Sequence, residues 1–326
     1  MTRIAVLDAW QGVAQDSADW SHLSKRAEVV FFTQPFEGPD AAAQTLADFD
    51  IILAMRERTA FPASLISRLT RLRMIALTGS RSWTMDIDAC TARGIVVCNT
   101  AGQQSTPATA ELTLGLLLSA ARHIPTADAS MRKGVFQTGV PRGVVLEGKT
   151  LGVIGLGKIG AKMAHYGLAL GMQVLAWSQN LTQEKAQAAG ARLVDKATLL
   201  AESDAITLHV VLSDRSRGII GAQDLARMKP GAILINSSRG PLVDEKALLE
   251  KLRTGTLIAG LDVYGQEPLP ANHPLRTLPN TVLTPHLGYC AGEVYAQFYG
   301  QSIENIIAFL DGKPIRVLNP EALRSA

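Results

Sequence analysis

The sequence predicts an α/β protein that contains two parallel β-sheets. Short apolar runs of strand length alternate with longer helix-like segments, which is typical of parallel strands joined by helices. The runs fall into two series, and the second series begins at Leu151. The chain has 326 residues, which is enough for about two domains.

Each series of apolar runs predicts one sheet. The strands predicted for the first sheet are Ile4–Leu7, Val29–Phe32, Ile51–Ala54, Met74–Leu77 and Ile95–Cys98. Those predicted for the second sheet are Leu151–Ile154, Gln173–Trp177, Ala191–Val194, Ala205–Val210, Ala232–Asn236, Ile258–Val263 and Thr281–Thr284.

Two long helices are predicted outside this alternation. Pro107–Ile124 lies between the two series and has almost no polar face, with leucines at 112, 114, 116, 117 and 118. A helix that is apolar all round is normally buried, so this segment is either an internal core helix or a subunit interface. Glu293–Leu310 has apolar residues at helical spacing, and Asp311-Gly312-Lys313-Pro314 should end it.

A glycine-rich turn follows the strand that opens the second series. Its residues are Gly155, Leu156, Gly157, Lys158, Ile159 and Gly160. The first glycine permits a tight turn, the second lets a pyrophosphate approach the backbone, and the third lets the next helix pack closely. The N-terminus of that helix attracts phosphate. We therefore expect these residues to bind a dinucleotide.

The residues after the next strand leave the choice between NAD and NADP open. An NAD site usually carries an acidic residue there, which binds the ribose 2′-hydroxyl. Here Val174–Trp177 is followed by Ser178 and Gln179, which can hydrogen-bond either ribose. No carboxylate repels a 2′-phosphate, and no arginine stands in this stretch to bind one.

Composition argues against several other classes of function. The net charge of +3 and the absence of a dense Lys/Arg run argue against nucleic acid. The three cysteines, Cys90, Cys98 and Cys290, have no metal-binding spacing and indicate a reduced compartment. Leu112–Ala121 is too short to span a membrane. The N-terminus shows no signal peptide, so we expect a cytoplasmic protein without a metal.

Three later segments carry the side chains expected to do chemistry. Arg239 follows one predicted strand and can bind a carboxylate through two hydrogen bonds. His286 follows another strand and can exchange a proton near neutral pH. Glu267 can orient that imidazole. His209 also ends a strand, but it ranks second because no carboxylate lies near it in the sequence.

In order along the chain, these motifs resemble the D-isomer-specific 2-hydroxyacid dehydrogenases. This family includes D-lactate, glyoxylate/hydroxypyruvate and D-3-phosphoglycerate dehydrogenases, and the resemblance runs from Ile51 to Pro314. It implies hydride transfer between NAD(P)H and a 2-keto acid or D-2-hydroxy acid. Arg239 would bind the substrate carboxylate and carbonyl, His286 would be the acid/base, and Glu267 would be its partner.

The resemblance also implies further ligand contacts. Asp262 would contact the nicotinamide carboxamide, and Val210 is a further candidate for the cofactor site. The loops that contain Arg56, Gly79 and Ser80 would face the substrate.

The domain organisation is likewise implied by the family. A Rossmann domain of residues 101–286 would be inserted into a discontinuous, flavodoxin-like substrate domain of residues 1–100 and 287–326, both doubly wound. Hinges are expected near Thr100 and Leu287. The helix Pro107–Ile124 resembles the family's dimerisation segment, so we expect a homodimer.

Some positions depart from the family pattern. Ser178 stands where an acidic residue is usual, and Arg81 and Trp83 replace a glycine and an aspartate in the loop Thr78–Thr84. The family's scaffold is shared by the C-terminal-binding corepressors, which keep the same site residues. A non-catalytic, NAD-sensing interaction protein is therefore the alternative function.

Overall fold

The computed structural model describes residues 1–324, which form two compact units. The five-stranded unit comprises residues 1–104 and 291 onwards, and the seven-stranded unit comprises residues 105–290. The boundaries predicted from the sequence, after residues 100 and 286, lie a few residues before these divisions. Residues 325 and 326 of the predicted substrate domain lie outside the described residues.

The five-stranded unit opens with alternating strands and helices. Its strands are β1 (Thr2–Val6), β2 (Ala27–Phe31), β3 (Ile51–Ala54), β4 (Met74–Leu77) and β5 (Val96–Asn99), and its helices in this part are α1 (Ser21–Ser24), α2 (Pro39–Leu46), α3 (Ala63–Ile66) and α4 (Ile87–Ala92). The strand order is β2-β1-β3-β4-β5, and all pairs are parallel. This is the flavodoxin-like order.

The seven-stranded unit begins with two helices. Its helices are α5 (Ser105–Arg122), α6 (Ile124–Arg132), α7 (Lys158–Ala169), α8 (Gln183–Ala188), α9 (Lys196–Glu202), α10 (Ala222–Arg227) and α11 (Glu245–Arg253). Its strands are β6 (Thr150–Ile154), β7 (Gln173–Trp177), β8 (Arg192–Leu193), β9 (Ala205–Leu208), β10 (Ala232–Asn236), β11 (Leu257–Leu261) and β12 (Thr281–Leu283).

The strand order of the second sheet is β12-β11-β10-β9-β6-β7-β8, again with parallel pairs. From β6 outwards this is the order of a dinucleotide-binding sheet, with β12 added at one edge. The order reverses between β6 and β9, and open α/β sheets bind ligands beyond the carboxyl ends of the strands at such a point. The predicted fold class is confirmed.

The final helix, α12 (Gly292–Leu310), belongs to the five-stranded unit and packs against β4 and β5. It ends at Leu310, and Asp311 caps it before Gly312 at φ +72°, as the breaker residues predicted. β3 and β4 are buried along their whole length. Strands covered on both faces have no polar side, which explains their continuous apolar runs.

The apolar segment after residue 105 differs from the single helix predicted over Pro107–Ile124. Helix α5 ends at Arg122, His123 adopts the left-handed conformation at φ +52°, and α6 follows. Leu116 and Leu117 are buried against the sheet of their own unit. Two of the five leucines considered for a subunit interface are thus core residues. No helix within residues 1–324 is long and apolar enough to cross a membrane.

Candidate active site

The glycine-rich turn lies at the point where the strand order reverses. Gly155 follows β6 at φ +96°, and a Cβ there would lie 2.7 Å from the carbonyl carbon of His209. A Cβ on Gly160 would lie 2.0 Å from the carbonyl oxygen of Gly155. Only glycine fits either position, because backbone atoms cannot move aside as a flexible side chain can.

Gly157 differs from these two glycines, because the fold itself leaves room for a side chain there. It precedes the first residue of α7, its backbone is extended, and no atom lies within 4 Å of the place where its Cβ would be. The fold tolerates a side chain here, so the open space suits a ligand that approaches the backbone. Helix α7 begins with Lys158 and Ile159. The N–H groups of its first turn offer positive potential to phosphate. The turn fits a dinucleotide pyrophosphate.

The residues beyond β7 form the predicted ribose end of this site. The Ser178 carbonyl accepts a hydrogen bond from the Leu181 N–H at 3.1 Å; Ser178 is half-buried and Gln179 is exposed. Among nearby cations, Lys196 is engaged with Asp224 at 2.9 Å. Both side chains are therefore open to a ribose, and neither distinguishes a 2′-hydroxyl from a 2′-phosphate by its charge.

An imidazole–carboxylate pair occupies the carboxyl edge of the same sheet. His286 Nδ1 lies 2.5 Å from Glu267 Oε2, and their side chains are 22% and 32% exposed. The second carboxylate oxygen, Oε1, accepts the backbone N–H of Tyr264 at 2.9 Å. Burial alone would raise the pKa of Glu267, but the hydrogen bond and charge of His286, with the charge of Arg239, lower it overall. The geometry therefore supports an ionised partner for the imidazole.

Asp262 holds the loop that carries His286. Its buried carboxylate accepts hydrogen bonds from the Thr284 hydroxyl at 2.6 Å and from the N–H groups of Leu287 at 2.7 Å and Gly288 at 2.8 Å. His286 itself sits in the left-handed region at φ +54°. Burial raises the pKa of Asp262 despite these donors. Asp262 therefore supports this loop. The contact with the nicotinamide carboxamide that the family implies would be a second role.

Arg239 lies on a tightly bonded turn after β10. The Asn236 side chain donates to the Arg239 carbonyl at 2.9 Å and accepts from the Ser238 N–H at 3.0 Å. The Ser238 hydroxyl donates to the carbonyl of Val210 at 2.8 Å, linking this turn to the end of β9. Arg239 itself is partly buried, with its guanidinium donating to the Ser238 carbonyl at 2.6 Å.

His209 occupies a different environment from His286. Its Nε2 lies 2.8 Å from the Thr207 hydroxyl, and burial lowers the pKa of His209 to about 3. A neutral imidazole without an adjacent carboxylate is poorly suited to deliver a proton. The main chain of His209 instead packs against Gly155, so we interpret it as part of the wall of the glycine turn.

The predicted substrate residues other than Arg239 belong to the five-stranded unit. Arg239, Glu267 and His286 belong to the seven-stranded unit. Arg56 follows β3 at φ +50°, and its N–H donates to the Thr78 hydroxyl at 3.0 Å. A Cβ on Gly79 would lie 2.7 Å from the Arg56 guanidinium. Ser80 accepts from the Asn99 side chain at 3.2 Å. The structure therefore brings these residues together at the ends of neighbouring strands.

Comparison with known proteins identifies the family. Residues 114–288 match the model described as "D-isomer specific 2-hydroxyacid dehydrogenase, NAD binding domain". The chain belongs to the D-isomer-specific 2-hydroxyacid dehydrogenase family.

Named members of this dehydrogenase family are similar over most of the chain. The glyoxylate reductase of Aeropyrum pernix is 39% identical over 269 residues, which cover 80% of this chain and 80% of the relative. The D-3-phosphoglycerate dehydrogenase of Archaeoglobus fulgidus is 40% identical over 265 residues, which cover 81% of this chain and 50% of the relative. The chain thus spans about half the length of such phosphoglycerate dehydrogenases.

Solved structures of the dehydrogenase family have the same fold. The putative D-3-phosphoglycerate dehydrogenase oxidoreductase of Ralstonia solanacearum aligns with a TM-score of 0.92 and 37% identity, covering 99% of this chain and 98% of that structure. The phosphoglycerate oxidoreductase of Vibrio cholerae aligns with a TM-score of 0.91 and 35% identity, covering 96% and 100%.

Sequence reasoning did not single out two residues that help to build this site. Tyr264 and Thr284 stand inside the recognised motifs, but neither was assigned a role. Their hydroxyl groups bond across two strand ends. A polar side chain close to the end of a strand was the available signal, since such a group needs a hydrogen-bond partner where it is buried.

Proposed function

We propose that this chain is a nicotinamide-dependent oxidoreductase that interconverts a 2-keto acid and a D-2-hydroxy acid. The observation that carries the proposal is the 2.5 Å contact between His286 and Glu267. It lies at the carboxyl edge of a sheet whose glycine turn fits a dinucleotide, in a chain that belongs to this dehydrogenase family.

Each residue has a distinct role in the proposed reaction. Arg239 binds the substrate carboxylate and polarises the carbonyl, because its planar guanidinium offers paired donors. His286 gives a proton from Nε2 to the carbonyl oxygen during reduction and removes it during oxidation, since Nδ1 faces Glu267. Glu267 orients the ring and stabilises its protonated form. The bound nicotinamide supplies or accepts the hydride.

The proposed cofactor is NAD or NADP. The turn Gly155–Gly160 would hold the pyrophosphate, with Ser178 and Gln179 near the ribose and Val210 and Asp262 at the nicotinamide end. The absence of a carboxylate after β7 supports no strong preference between the two cofactors.

The proposed substrates are small 2-keto acids. The names of the similar relatives, glyoxylate reductase and D-3-phosphoglycerate dehydrogenase, support this class. Arg56, Gly79 and Ser80 are the further residues proposed to contact the substrate. The left-handed backbone of Arg56 and the glycine beside its guanidinium support a specific orientation of that cation.

A homodimer is the proposed assembly. Support comes from apolar side chains that are at least 39% exposed within or after α6, namely Ile124, Met131, Val135, Phe136 and Val145. Because clustered apolar exposure is unusual on a soluble monomer, we extend the interface expected at residues 107–124 to include this segment.

The test is the absorbance of reduced nicotinamide with a panel of 2-keto acids, run with NADH and with NADPH. We expect turnover with at least one keto acid. Cofactor binding without turnover on any of them would contradict the proposal and favour the non-catalytic, corepressor-like alternative.

A further inference from the structure

We propose that Tyr264 is a positioning residue that holds Arg239, Glu267 and His286 in fixed positions relative to one another. The inference rests on the proposed function, because it assigns these three groups to one reaction. Tyr264 touches each of the three segments that carry them, and it does so through a different part of the residue each time.

The first contact is with Glu267. The Tyr264 backbone N–H donates to Glu267 Oε1 at 2.9 Å, while the other oxygen, Oε2, faces His286. The main chain of Tyr264 therefore fixes the rotation of the carboxylate plane. A carboxylate held at one oxygen presents the other in a defined direction.

The second contact is with the segment of His286. The Tyr264 hydroxyl donates to the Thr284 carbonyl at 2.9 Å and lies 3.2 Å from the Leu261 carbonyl. Burial raises the pKa of Tyr264 well above its usual value, so the hydroxyl stays protonated and can donate. The bond joins the ends of β11 and β12 two residues before His286.

The third contact is with the turn of Arg239. Gly240 packs so closely on Tyr264 that a Cβ at Gly240 would lie 2.0 Å from the Tyr264 carbonyl carbon and 2.1 Å from its oxygen. Gly240 follows Arg239 directly in the chain, so this contact is one residue away from Arg239. A shift of Tyr264 would thus move all three functional side chains relative to one another.

The relative positions of these three side chains should affect the reaction rate. Displacement of a reacting group by about 1 Å can cost on the order of 100-fold in rate. The charged groups facing the pair are Asp262, below the His286 loop, and Arg239, beside Glu267. The Tyr264 hydroxyl bonds to main-chain carbonyl groups, so removing it adds or deletes no charged group beside the pair.

The experiment is a double-mutant cycle with Tyr264→Phe and Glu267→Gln in the full chain with cofactor. Tyr264→Phe deletes only the hydroxyl and keeps the backbone bond to Glu267. We expect kcat to fall about five- to tenfold, while KM for the keto acid and Kd for NADH change less than about twofold. In the Glu267→Gln background, the same substitution should lower kcat by less than about twofold, because the charge-assisted bond that it positions is already lost.

Two outcomes would overturn the inference. Unchanged kcat in Tyr264→Phe would mean that the hydroxyl positions nothing. An equal fold-loss in both backgrounds would mean that it acts independently of the pair. Tyr299→Phe, which alters another buried tyrosine in the five-stranded unit, controls for a general loss of stability and should leave kcat unchanged.

A proton NMR signal separates this inference from the proposed function. The Nδ1 proton of His286 should give a downfield resonance that Glu267→Gln abolishes and Tyr264→Phe broadens, even if no keto acid is turned over. A parent protein that turns over no keto acid would contradict the proposed function alone. A resonance that is identical in Tyr264→Phe and in the parent would contradict the positioning role.

Discussion

At the scale of single residues, cofactor choice depends on uncharged side chains beyond β7. Ser178→Asp places a carboxylate where it would repel a 2′-phosphate and accept a bond from a 2′-hydroxyl. We expect the ratio of kcat/KM for NADPH to that for NADH to fall by about tenfold or more, as measured by steady-state kinetics. Ser178→Asn, which adds no charge, is the control. An unchanged ratio would show that residue 178 lies away from the 2′ position.

A second residue-scale prediction concerns Asp8. It is buried, adopts φ +57°, and accepts a hydrogen bond from the Thr59 hydroxyl at 3.0 Å. Burial raises the pKa of Asp8 from 3.8 to about 6. Between these values the folded state binds more protons than the unfolded state, so this group makes stability fall as pH rises.

Asp8→Asn should remove that pH dependence while keeping the size of the side chain and its tolerance of the left-handed region. We expect the unfolding free energy of the variant, relative to the parent, to increase from pH 4 to about 6 and to be constant above. Urea unfolding at a series of pH values measures it. A difference that does not vary across this range would contradict the buried, protonated carboxyl.

At the scale of elements, two glycines of the same turn should respond differently to alanine. Gly160→Ala drives a Cβ to 2.0 Å from the Gly155 carbonyl oxygen, which should cost about 1–3 kcal/mol of stability, as overpacking does. Gly157→Ala meets no atom within 4 Å, so thermal stability should be close to that of the parent. Both variants should bind NADH weakly, as titrated by nicotinamide fluorescence.

The matched pair separates folding from binding. Parent-like NADH affinity in a stable Gly157→Ala variant would mean that the pyrophosphate lies elsewhere. Parent-like stability of Gly160→Ala would mean that α7 does not pack on the turn as described.

The elements show where sequence patterns suffice and where they fail. The strands Ile51–Ala54, Met74–Leu77, Gln173–Trp177 and Ala232–Asn236 match their predicted bounds, because buried parallel strands are continuous apolar runs ended by polar turns. The break at His123 was not predicted, since a left-handed non-glycine residue leaves no reliable pattern. Tyr264 was missed because its importance arises from Gly240 and Thr284, which are distant in sequence.

At the scale of the whole molecule, we expect a homodimer in solution. Phe136 is 74% exposed and Val145 is 71% exposed, and a partner copy would remove both from water. Multi-angle light scattering at micromolar concentration should give twice the 34.8 kDa mass of the chain. Phe136→Asp should shift the mass towards the monomer. Asp128→Asn, which removes a charge and the ion pair with Arg132 on the exposed side of α6 but no apolar surface, should not. A monomeric parent would contradict the assembly.

The site, like the assembly, was only partly accessible from the sequence. Motif order placed Arg239, Glu267 and His286 at strand ends, and the parallel sheet brings these ends to one edge. Periodicity cannot predict the 2.5 Å distance between His286 and Glu267, because it depends on Asp262 and on the left-handed backbone of His286. The substrate could not be named from the sequence, because the loop expected to face it departs from the family pattern at Arg81 and Trp83.

If His286 is the acid/base of a 2-keto acid reductase, its replacement by alanine should remove most turnover, and steady-state kinetics of His286→Ala measures this. With the best keto acid of the panel, we expect kcat to fall about 100- to 10,000-fold, while NADH affinity stays within about twofold because the glycine turn is untouched. His209→Ala is the comparison, and it should retain most activity. Turnover of His286→Ala within tenfold of the parent would place the acid/base elsewhere and contradict the account.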